Sequence, residues 1–249
     1  MTHCVKRAVI MAAGRGERLR PVTDRIPKPL IPVHGRRMID TIIEALHQNG
    51  IREIHVVTGY RGEDFEVLKR DFPGVDLIPN PDWDRCNNIS SLYAARAYLE
   101  DTMILDGDQI IRDPAALDPV FEFSGYNGVW TDRETGEWLM TADNGIITGC
   151  SRTGGKNGWQ LYSVSRWTAE DGRRLRKQLE TEFKEKGNTG IYWDDVPMFC
   201  YPETYTLAVH PMGPDDVREI DSLPELAAED PEWAREIRNE FNIQGGNDL

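Results

Sequence analysis

The chain of 249 residues has only four cysteines, and they lie far apart in the sequence. Cys4, Cys86, Cys150 and Cys200 match neither a zinc-binding spacing nor a CxxC redox motif. No apolar run is long enough to span a membrane, and the first one stops at Gly14, too early for a secretory signal. These absences argue against a disulfide framework or a membrane-spanning protein and favour a reduced, cytoplasmic one.

An excess of basic residues is also missing, because 29 Lys and Arg stand against 42 Asp and Glu, for a formal net charge of −13. Nucleic acids and anionic membrane surfaces require a basic face, so neither is expected as a partner. None of the five histidines lies in a catalytic or metal-binding motif, and no nucleophile motif is present. The length and the absence of repeats predict one domain over residues 1–249.

A loop rich in glycine and arginine follows the first predicted strand, residues 8–13. Gly14 and Gly16 would let backbone N–H groups approach an anion closely. The loop has neither the third glycine of the dinucleotide motif nor the Gly-Lys-Ser/Thr of a P-loop. We therefore predict a phosphate-binding loop of another type, with a plain strand-to-helix turn as the alternative. The cations of the loop are Arg15, Arg18, Arg20 and Lys28.

The first half of the chain alternates short apolar runs with helical periodicity, which predicts a parallel α/β sheet covered on both faces. Ligands of such sheets bind at the carboxyl ends of the strands, where the Gly14 loop, the turn Gly59–Tyr60 and Asp106–Asp108 all fall. Short strand-like runs after residue 127 predict hairpins in the same sheet. A helix is expected to begin at Ser222 and to fade towards Asn242.

Two acidic elements are candidate metal ligands. Asp106 and Asp108 follow an apolar strand, and oxygen ligands of this kind suit Mg²⁺, which takes one or two carboxylates plus substrate phosphates. An isolated Asp-Gly-Asp is more often a solvated turn, but a phosphate-binding loop in the same sheet favours the metal. Asp221 precedes a predicted helix, where an acidic residue often only compensates the helix dipole.

Aromatic residues next to carboxylates mark the second half of the chain. Trp138 follows Glu137, and Tyr192–Trp193 precede Asp194–Asp195. Rings with a nearby anion are how proteins bind quaternary ammonium groups, although ordinary core packing explains such rings equally well. With no nucleophilic side chain available, the chemistry that fits these parts is direct displacement at phosphorus.

The order Ala12-Ala13-Gly14-x-Gly16-x-Arg18-Leu19-x-Pro21-x-Thr23, followed by Pro27-Lys28-Pro29-Leu30 and Val33-x-Gly35, resembles the signature loop of the nucleotidyltransferases that activate sugar phosphates. Four further segments resemble the bacterial CTP:phosphocholine cytidylyltransferases within that wider family. They are Asn87–Tyr93, Glu137–Trp138, Tyr192–Asp194 and Glu219–Ser222.

The resemblance implies a Rossmann-like three-layer sandwich of the nucleotide-diphospho-sugar transferase type, with a mostly parallel mixed central sheet. It implies that CTP and phosphocholine give CDP-choline and pyrophosphate with Mg²⁺ as cofactor. About residues 1–126 would bind the nucleotide, and about residues 127–249 would bind the acceptor.

The resemblance also implies roles for individual residues. Arg18, Lys28 and Asp108 would be catalytic, and Asp108 and Asp221 would hold the metal. The acceptor would meet Trp138, Tyr192, Trp193 and Asp194. Nucleotide contacts would come from Ala12, Ala13, Gly14, Gly16, Arg18, Gly59, Tyr60, Asn88, Ser91 and Asp106.

One residue departs from this pattern, since Asp195 stands where a neutral amide is expected. The departure leaves the shape of the amine pocket open. 2-Aminoethylphosphonate and a sugar 1-phosphate remain alternative acceptors. A nucleotide-sensing module without catalysis is the alternative from another functional class, and the oligomeric state is not predicted.

Overall fold

A computed structural model, which describes residues 1–240, shows an α/β fold around a nine-stranded mixed sheet. Among these residues no helix is both long and apolar enough to cross a membrane. The strands are β1 His3–Cys4, β2 Arg7–Ala12, β3 Pro32–Val33, β4 Arg36–Arg37, β5 Glu53–Thr58, β6 Val75–Pro79, β7 Thr102–Asp106, β8 Gln109–Ile111, β9 Val120–Phe121, β10 Gly125–Thr131, β11 Leu139–Asp143, β12 Ile146–Ser151, β13 Gly158–Trp167, β14 Ala208–Pro211 and β15 Val217–Glu219. The helices are α1 Met38–Gln48, α2 Glu66–Asp71, α3 Ile89–Ala94, α4 Ala169–Leu179, α5 Leu223–Glu229 and α6 Pro231–Glu240.

The central sheet is mostly parallel, as the sequence predicts. Strands β6, β5, β2 and β7 pair in parallel in that order. Strand β13 then lies antiparallel between β7 and β10, and β14 pairs in parallel with β10. Six strands therefore run the same way and only β13 opposes them along this path, while the hairpin β11–β12 extends the sheet from β13 towards β14. The predicted Rossmann-like fold class is confirmed.

Side chains of β2 point alternately to the two faces of the sheet and bury against different helices. Ile10 packs in the cluster that contains Ile39 and Ile43 of α1. Val9 packs on the opposite face with residues of α3 and α4, such as Leu92 and Leu175. This alternation produces the three layers, because each face of the sheet is covered by helices.

The carboxyl-terminal residues form two helices, where the sequence predicted one. Asp230 has an extended backbone (φ −128°, ψ 113°) and separates α5 from α6, because the ring of Pro231 disfavours the helical conformation in the residue before it. Asn242, towards which the single helix was expected to extend, lies outside the described residues. Leu226 and Trp233 of the two helices pack against Leu19, so they support the glycine-rich loop.

Candidate active site

The glycine-rich loop leaves the end of β2 and is held in shape by Gly59 and Tyr60, which directly follow β5. Gly16 adopts a left-handed backbone (φ 66°), and its carbonyl accepts a hydrogen bond from the Thr23 hydroxyl at 2.9 Å. The Tyr60 hydroxyl donates to the Thr23 carbonyl at 3.0 Å, and the Tyr60 N–H donates to the Ala13 carbonyl. A Cβ at Gly59 would lie 2.5 Å from Trp83. Gly59 and Tyr60, predicted as nucleotide contacts, thus brace the loop.

Lys28 lies at the centre of the predicted phosphate and metal residues. Its Nζ donates to Asp108 Oδ2 at 2.7 Å and to Asp221 Oδ1 at 2.8 Å. Arg18 Nη2 donates to the same Asp221 oxygen at 2.8 Å. Burial by itself would lower the pKa of the Lys28 ammonium, but the two carboxylates outweigh it and raise the pKa above its usual value. Lys28 is therefore a fixed, buried cation.

The short strand pair β8–β15 explains how Asp221 reaches Asp108 from a distant part of the sequence. Gln109, directly after Asp108, lies opposite Glu219 in this antiparallel pair. The Asp221 N–H then donates to Glu225 Oε2 at 2.7 Å at the beginning of α5. Both carboxylates thereby reach one ammonium, at the carboxyl end of the parallel strands.

A cavity of about 540 Å³ opens over the glycine-rich loop. Its size falls in the ordinary range for small-molecule sites. A Cβ on Gly14 would meet no atom within 4 Å, so backbone is open to the cavity there. The lining includes the predicted residues Ala12, Gly14, Gly16, Arg18, Lys28, Asp108, Tyr192 and Asp221.

A second cavity of about 250 Å³ adjoins the first. Arg18, Asp108, Tyr192 and Asp221 line both cavities and form their common border. A nucleotide phosphate in the first cavity and an acceptor in the second would meet at this border. The remaining lining residues are Asn88, Asp106, Glu137, Trp138, Leu161, Ser163, Asp194 and Glu219.

Carboxyl groups dominate the second cavity, and several of them have raised pKa values. Burial, with a smaller effect of neighbouring carboxylates, raises the pKa of Asp106 well above its usual value. Burial raises the pKa of Asp194 to about 7, against hydrogen bonds that lower it. Burial and the charge of Asp108 raise the pKa of Glu219 to about 7. A cationic group entering this cavity would stabilise the ionised forms.

Two of the three predicted acceptor rings reach the second cavity, and the third does not. The rings of Trp138 and Tyr192 stand edge to face, 5.9 Å apart between centroids. Trp193 is only 2 % exposed and stacks on Tyr126 at 5.9 Å in the core. The expectation that Trp193 cages the acceptor disagrees with this geometry, because its ring completes the hydrophobic layer between the sheet and α4.

Asn88 and Ser91 were both predicted as nucleotide contacts, but only Asn88 lines a cavity. Asn88 Oδ1 accepts the Trp193 N–H at 2.8 Å, which ties the Tyr192–Asp195 segment to α3. Ser91 is buried, and its hydroxyl accepts from the buried Asn80 amide at 3.0 Å. Ser91 lines neither cavity, so the expected contact with the base or ribose is not supported by its position.

Sequence reasoning missed Glu219 and Ser163 as lining residues. Glu219 lies in a segment that the sequence analysis singled out, but no role was assigned to it. The Ser163 hydroxyl lowers the pKa of the Asp106 carboxyl, against the larger effect of burial. The signal that could have found Ser163 is its position in a long strand next to β7, whose end carries Asp106.

The donor set around Lys28 fits a hard divalent cation. Asp108 and Asp221 present carboxylate oxygens to one point, and Mg²⁺ needs only one or two carboxylates when phosphates complete its shell. Within residues 1–240 no cluster of three or more His, Cys, Asp or Glu is arranged to hold a metal alone. A metal at this place would therefore depend on a bound phosphate, and its presence remains a prediction.

The MobA-like NTP transferase domain family matches residues 8–180. The chain is 37 % identical to 2-aminoethylphosphonate cytidylyltransferase of Lancefieldella rimae over 93 % of this chain and 95 % of that protein. It is 31 % identical to choline-phosphate cytidylyltransferase of Haemophilus influenzae over 87 % and 92 % of the two chains.

Among solved structures, CTP:phosphocholine cytidylyltransferase from Streptococcus pneumoniae superposes with a TM-score of 0.82 at 27 % identity, covering 90 % of this chain and 97 % of that one. The relatives are nucleotidyltransferases that act on small molecules, and cytidyl transfer is their shared activity. Since the family match includes most of the chain and the relatives align over nearly their full length, the chain belongs to the MobA-like NTP transferase family and is a nucleotidyltransferase of the cytidylyltransferase type.

Proposed function

We propose that this protein transfers the cytidylyl group of CTP to 2-aminoethylphosphonate and releases pyrophosphate. The observation that carries the proposal is the acidic second cavity, which adjoins the cavity that contains Lys28. A primary ammonium donates three hydrogen bonds and seeks carboxylate oxygens. Glu137 and Asp194 line the same cavity as Trp138, so an ammonium there has both anions and a ring within reach.

The reaction is an in-line displacement at the α-phosphorus of CTP. A phosphonate oxygen of the acceptor forms the new P–O bond, and the bond to the bridging oxygen of the β-phosphate breaks as pyrophosphate leaves with the electron pair. The phosphonate is already ionised near neutral pH, so the step needs no general base. Lys28 and Arg18, which both contact Asp221, would neutralise the charge that develops on the phosphate oxygens.

Mg²⁺ is part of this proposal, with Asp108 and Asp221 as the residues that would hold it. The bound ion would supply positive charge to the triphosphate and to the leaving pyrophosphate. The two carboxylates now pair with Lys28 and Arg18. Phosphates entering the first cavity would give these cations new partners and leave the carboxylates available.

We also propose that the two halves of the chain bind different substrates. About residues 1–126 would bind the nucleotide through the loop of Gly14 and Gly16, and about residues 127–249 would bind the acceptor through Trp138, Tyr192 and Asp194. The alignment with the Lancefieldella rimae cytidylyltransferase extends over nearly the whole chain, which favours the same acceptor.

Phosphocholine is the second candidate acceptor, and the edge-to-face pair of Trp138 and Tyr192 favours it. Two ring faces next to a carboxylate attract a trimethylammonium group by cation–π forces. The choline-phosphate cytidylyltransferases among the relatives also support it. Because Trp193 is buried, phosphocholine would contact two aromatic rings here, whereas the sequence predicted three.

The test is pyrophosphate release with Mg²⁺ and CTP against three acceptors: 2-aminoethylphosphonate, phosphocholine and a sugar 1-phosphate. We expect the highest kcat/KM with 2-aminoethylphosphonate and product masses that match the added CMP. A higher kcat/KM with phosphocholine would move the assignment to the second candidate. Binding of CTP without turnover of any acceptor would instead support a nucleotide-sensing module.

A further inference from the structure

Three aromatic rings stand in a row beside the second cavity. Trp138 is in the middle, with Tyr192 at 5.9 Å and Phe199 at 5.6 Å, both nearly perpendicular to it. Only Trp138 and Tyr192 line the cavity. Phe199 is half-buried and is the nearest further ring that could serve as a wall for a bulky cationic group.

The protein places its own cation on this row of rings. The Arg152 guanidinium lies 3.8 Å from the centre of the Phe199 ring and 5.8 Å from that of Trp138. Both distances fall within the range of cation–π attraction. Arg152 follows the end of β12, its side chain is 50 % exposed, and its guanidinium lies over one face of the Phe199 ring.

Asp195 fixes Arg152 in this position. Its Oδ1 accepts from Arg152 Nε at 2.8 Å and from Nη2 at 2.5 Å, while its Oδ2 accepts the Tyr192 N–H at 2.9 Å. Asp195 is buried, so the geometry is held from within the fold. A neutral amide at this position, which the phosphocholine enzymes led us to expect, could not hold the guanidinium with a full charge.

The contact between Arg152 and Phe199 should affect the binding of the two candidate acceptors differently. A trimethylammonium group has no N–H to donate and depends on several ring faces. With Phe199 already covered by a cation, that group would meet fewer free faces and a like charge nearby. A primary ammonium is smaller and donates its hydrogen bonds to carboxylates such as Asp194 and Glu137, which line the second cavity.

We infer that the Arg152–Asp195 pair is a specificity-determining element that disfavours trimethylammonium acceptors relative to primary ammonium acceptors. The inference rests on the proposed cytidylyl transfer to a small phospho-amine. It assigns a role to two residues that line neither cavity and act through the rings of Phe199 and Trp138.

The test removes both charges of the ion pair in the double variant Arg152→Gln/Asp195→Asn, and the guanidinium alone in Arg152→Gln. We expect the ratio of kcat/KM for phosphocholine to that for 2-aminoethylphosphonate to rise by about 10-fold. This is the change in affinity that one partly desolvated cation–π contact produces. Most of the change should lie in the KM of phosphocholine. The matched control is Arg173→Gln, because Arg173 forms an exposed ion pair with Glu100 at 2.6 Å outside both cavities.

Arg152→Lys separates charge from packing, because it keeps the positive charge and loses the planar stack. We expect it to keep the wild-type ratio to within about 3-fold, a shift of well under 1.4 kcal/mol. A ratio in Arg152→Lys like that of Arg152→Gln, or an unchanged ratio in both Arg152→Gln and the double variant, would overturn the inference.

Inhibition of the wild-type enzyme by free choline and by free ethanolamine needs no variant. Weaker inhibition by choline is expected, and stronger inhibition would count against the inference. If the wild type releases no pyrophosphate with either acceptor, the proposed function fails. Calorimetric binding of 2-aminoethylphosphonate and phosphocholine to wild type and Arg152→Gln then tests the selectivity by itself.

Discussion

Lys28 donates a hydrogen bond from its Nζ to Asp221 at 2.8 Å, across 193 positions of the sequence. The contact joins the glycine-rich loop to the segment between β15 and α5. It places a buried ammonium between Asp221 and Asp108, at the border of the two cavities.

Lys28→Met should reduce kcat for pyrophosphate release by about 100-fold or more, because one fixed positive group at a developing charge contributes that much. The variant also leaves Asp108 and Asp221 without their shared cation, so some loss of stability is expected. The control is Lys6→Met, since Lys6 forms an exposed ion pair with Asp101 at 2.5 Å away from both cavities. Equal activity of the two variants would remove Lys28 from the site.

Asp108→Asn should abolish turnover at ordinary Mg²⁺ concentration, because the proposed ion would lose one of its two carboxylates. Chelation of Mg²⁺ should stop the wild-type reaction, and added Mg²⁺ should restore it. A titration of rate against Mg²⁺ checks both points. Asp24→Asn is the control, since Asp24 pairs with exposed Arg20 outside the cavities. An unchanged Mg²⁺ dependence in Asp108→Asn would contradict the assignment.

Trp138→Ala should raise the KM of the acceptor by up to about 30-fold, which corresponds to the roughly 2 kcal/mol of a desolvated cation–π contact. The KM of CTP should change much less, because Trp138 lines only the second cavity. Trp130→Ala is the matched control, as Trp130 is 54 % exposed and lines neither cavity. Equal increases in both KM values would indicate a packing role for Trp138.

Asp108 was found from the sequence because it follows the end of an apolar strand, and Lys28 because it is one of the cations of the glycine-rich loop. Asp221 was a candidate ligand whose position next to Asp108 the sequence could not show, since its approach depends on pairing between two strands of three residues each. Trp193 was expected to contact the acceptor but lies in the core. Adjacent aromatic residues in a loop have no helical or strand periodicity, so the sequence does not show which of them faces the core and which the cavity. Arg152 follows a hairpin strand, and no sequence pattern there predicts its contact with Phe199.

Asp194 should make stability depend on pH. The unfolded side chain ionises near its ordinary pKa of 3.8, whereas burial raises the pKa in the folded protein to about 7. Between these values the folded state holds a proton that the unfolded state has released, so raising the pH through this window lowers the free energy of unfolding. Asp194→Asn removes this ionisation. Its melting temperature relative to wild type should therefore be higher at about pH 8 than at about pH 5, as calorimetry can measure.

The same variant tests whether Asp194 binds the acceptor ammonium. Ionisation of Asp194 above about pH 7 should lower the KM of the acceptor in the wild type beyond what ionisation of the acceptor itself produces. Asp194→Asn keeps the acceptor's own titration and should lose only the additional part. Parallel pH profiles of KM in the two proteins would show that Asp194 does not contact the ammonium.

Substitution by alanine should have different effects at Gly16 and at Gly14. At Gly16 the left-handed backbone and a Cβ only 3.0 Å from both Lys28 Cβ and Thr23 Cγ2 should cost about 1–3 kcal/mol of stability. At Gly14 the Cβ meets no atom within 4 Å, so stability should stay close to wild type while the added methyl group enters the cavity and raises the KM of CTP. Thermal unfolding and CTP kinetics of both variants separate the two effects. A Gly14→Ala enzyme with an unchanged KM for CTP would show that nucleotide phosphates do not approach this part of the loop backbone.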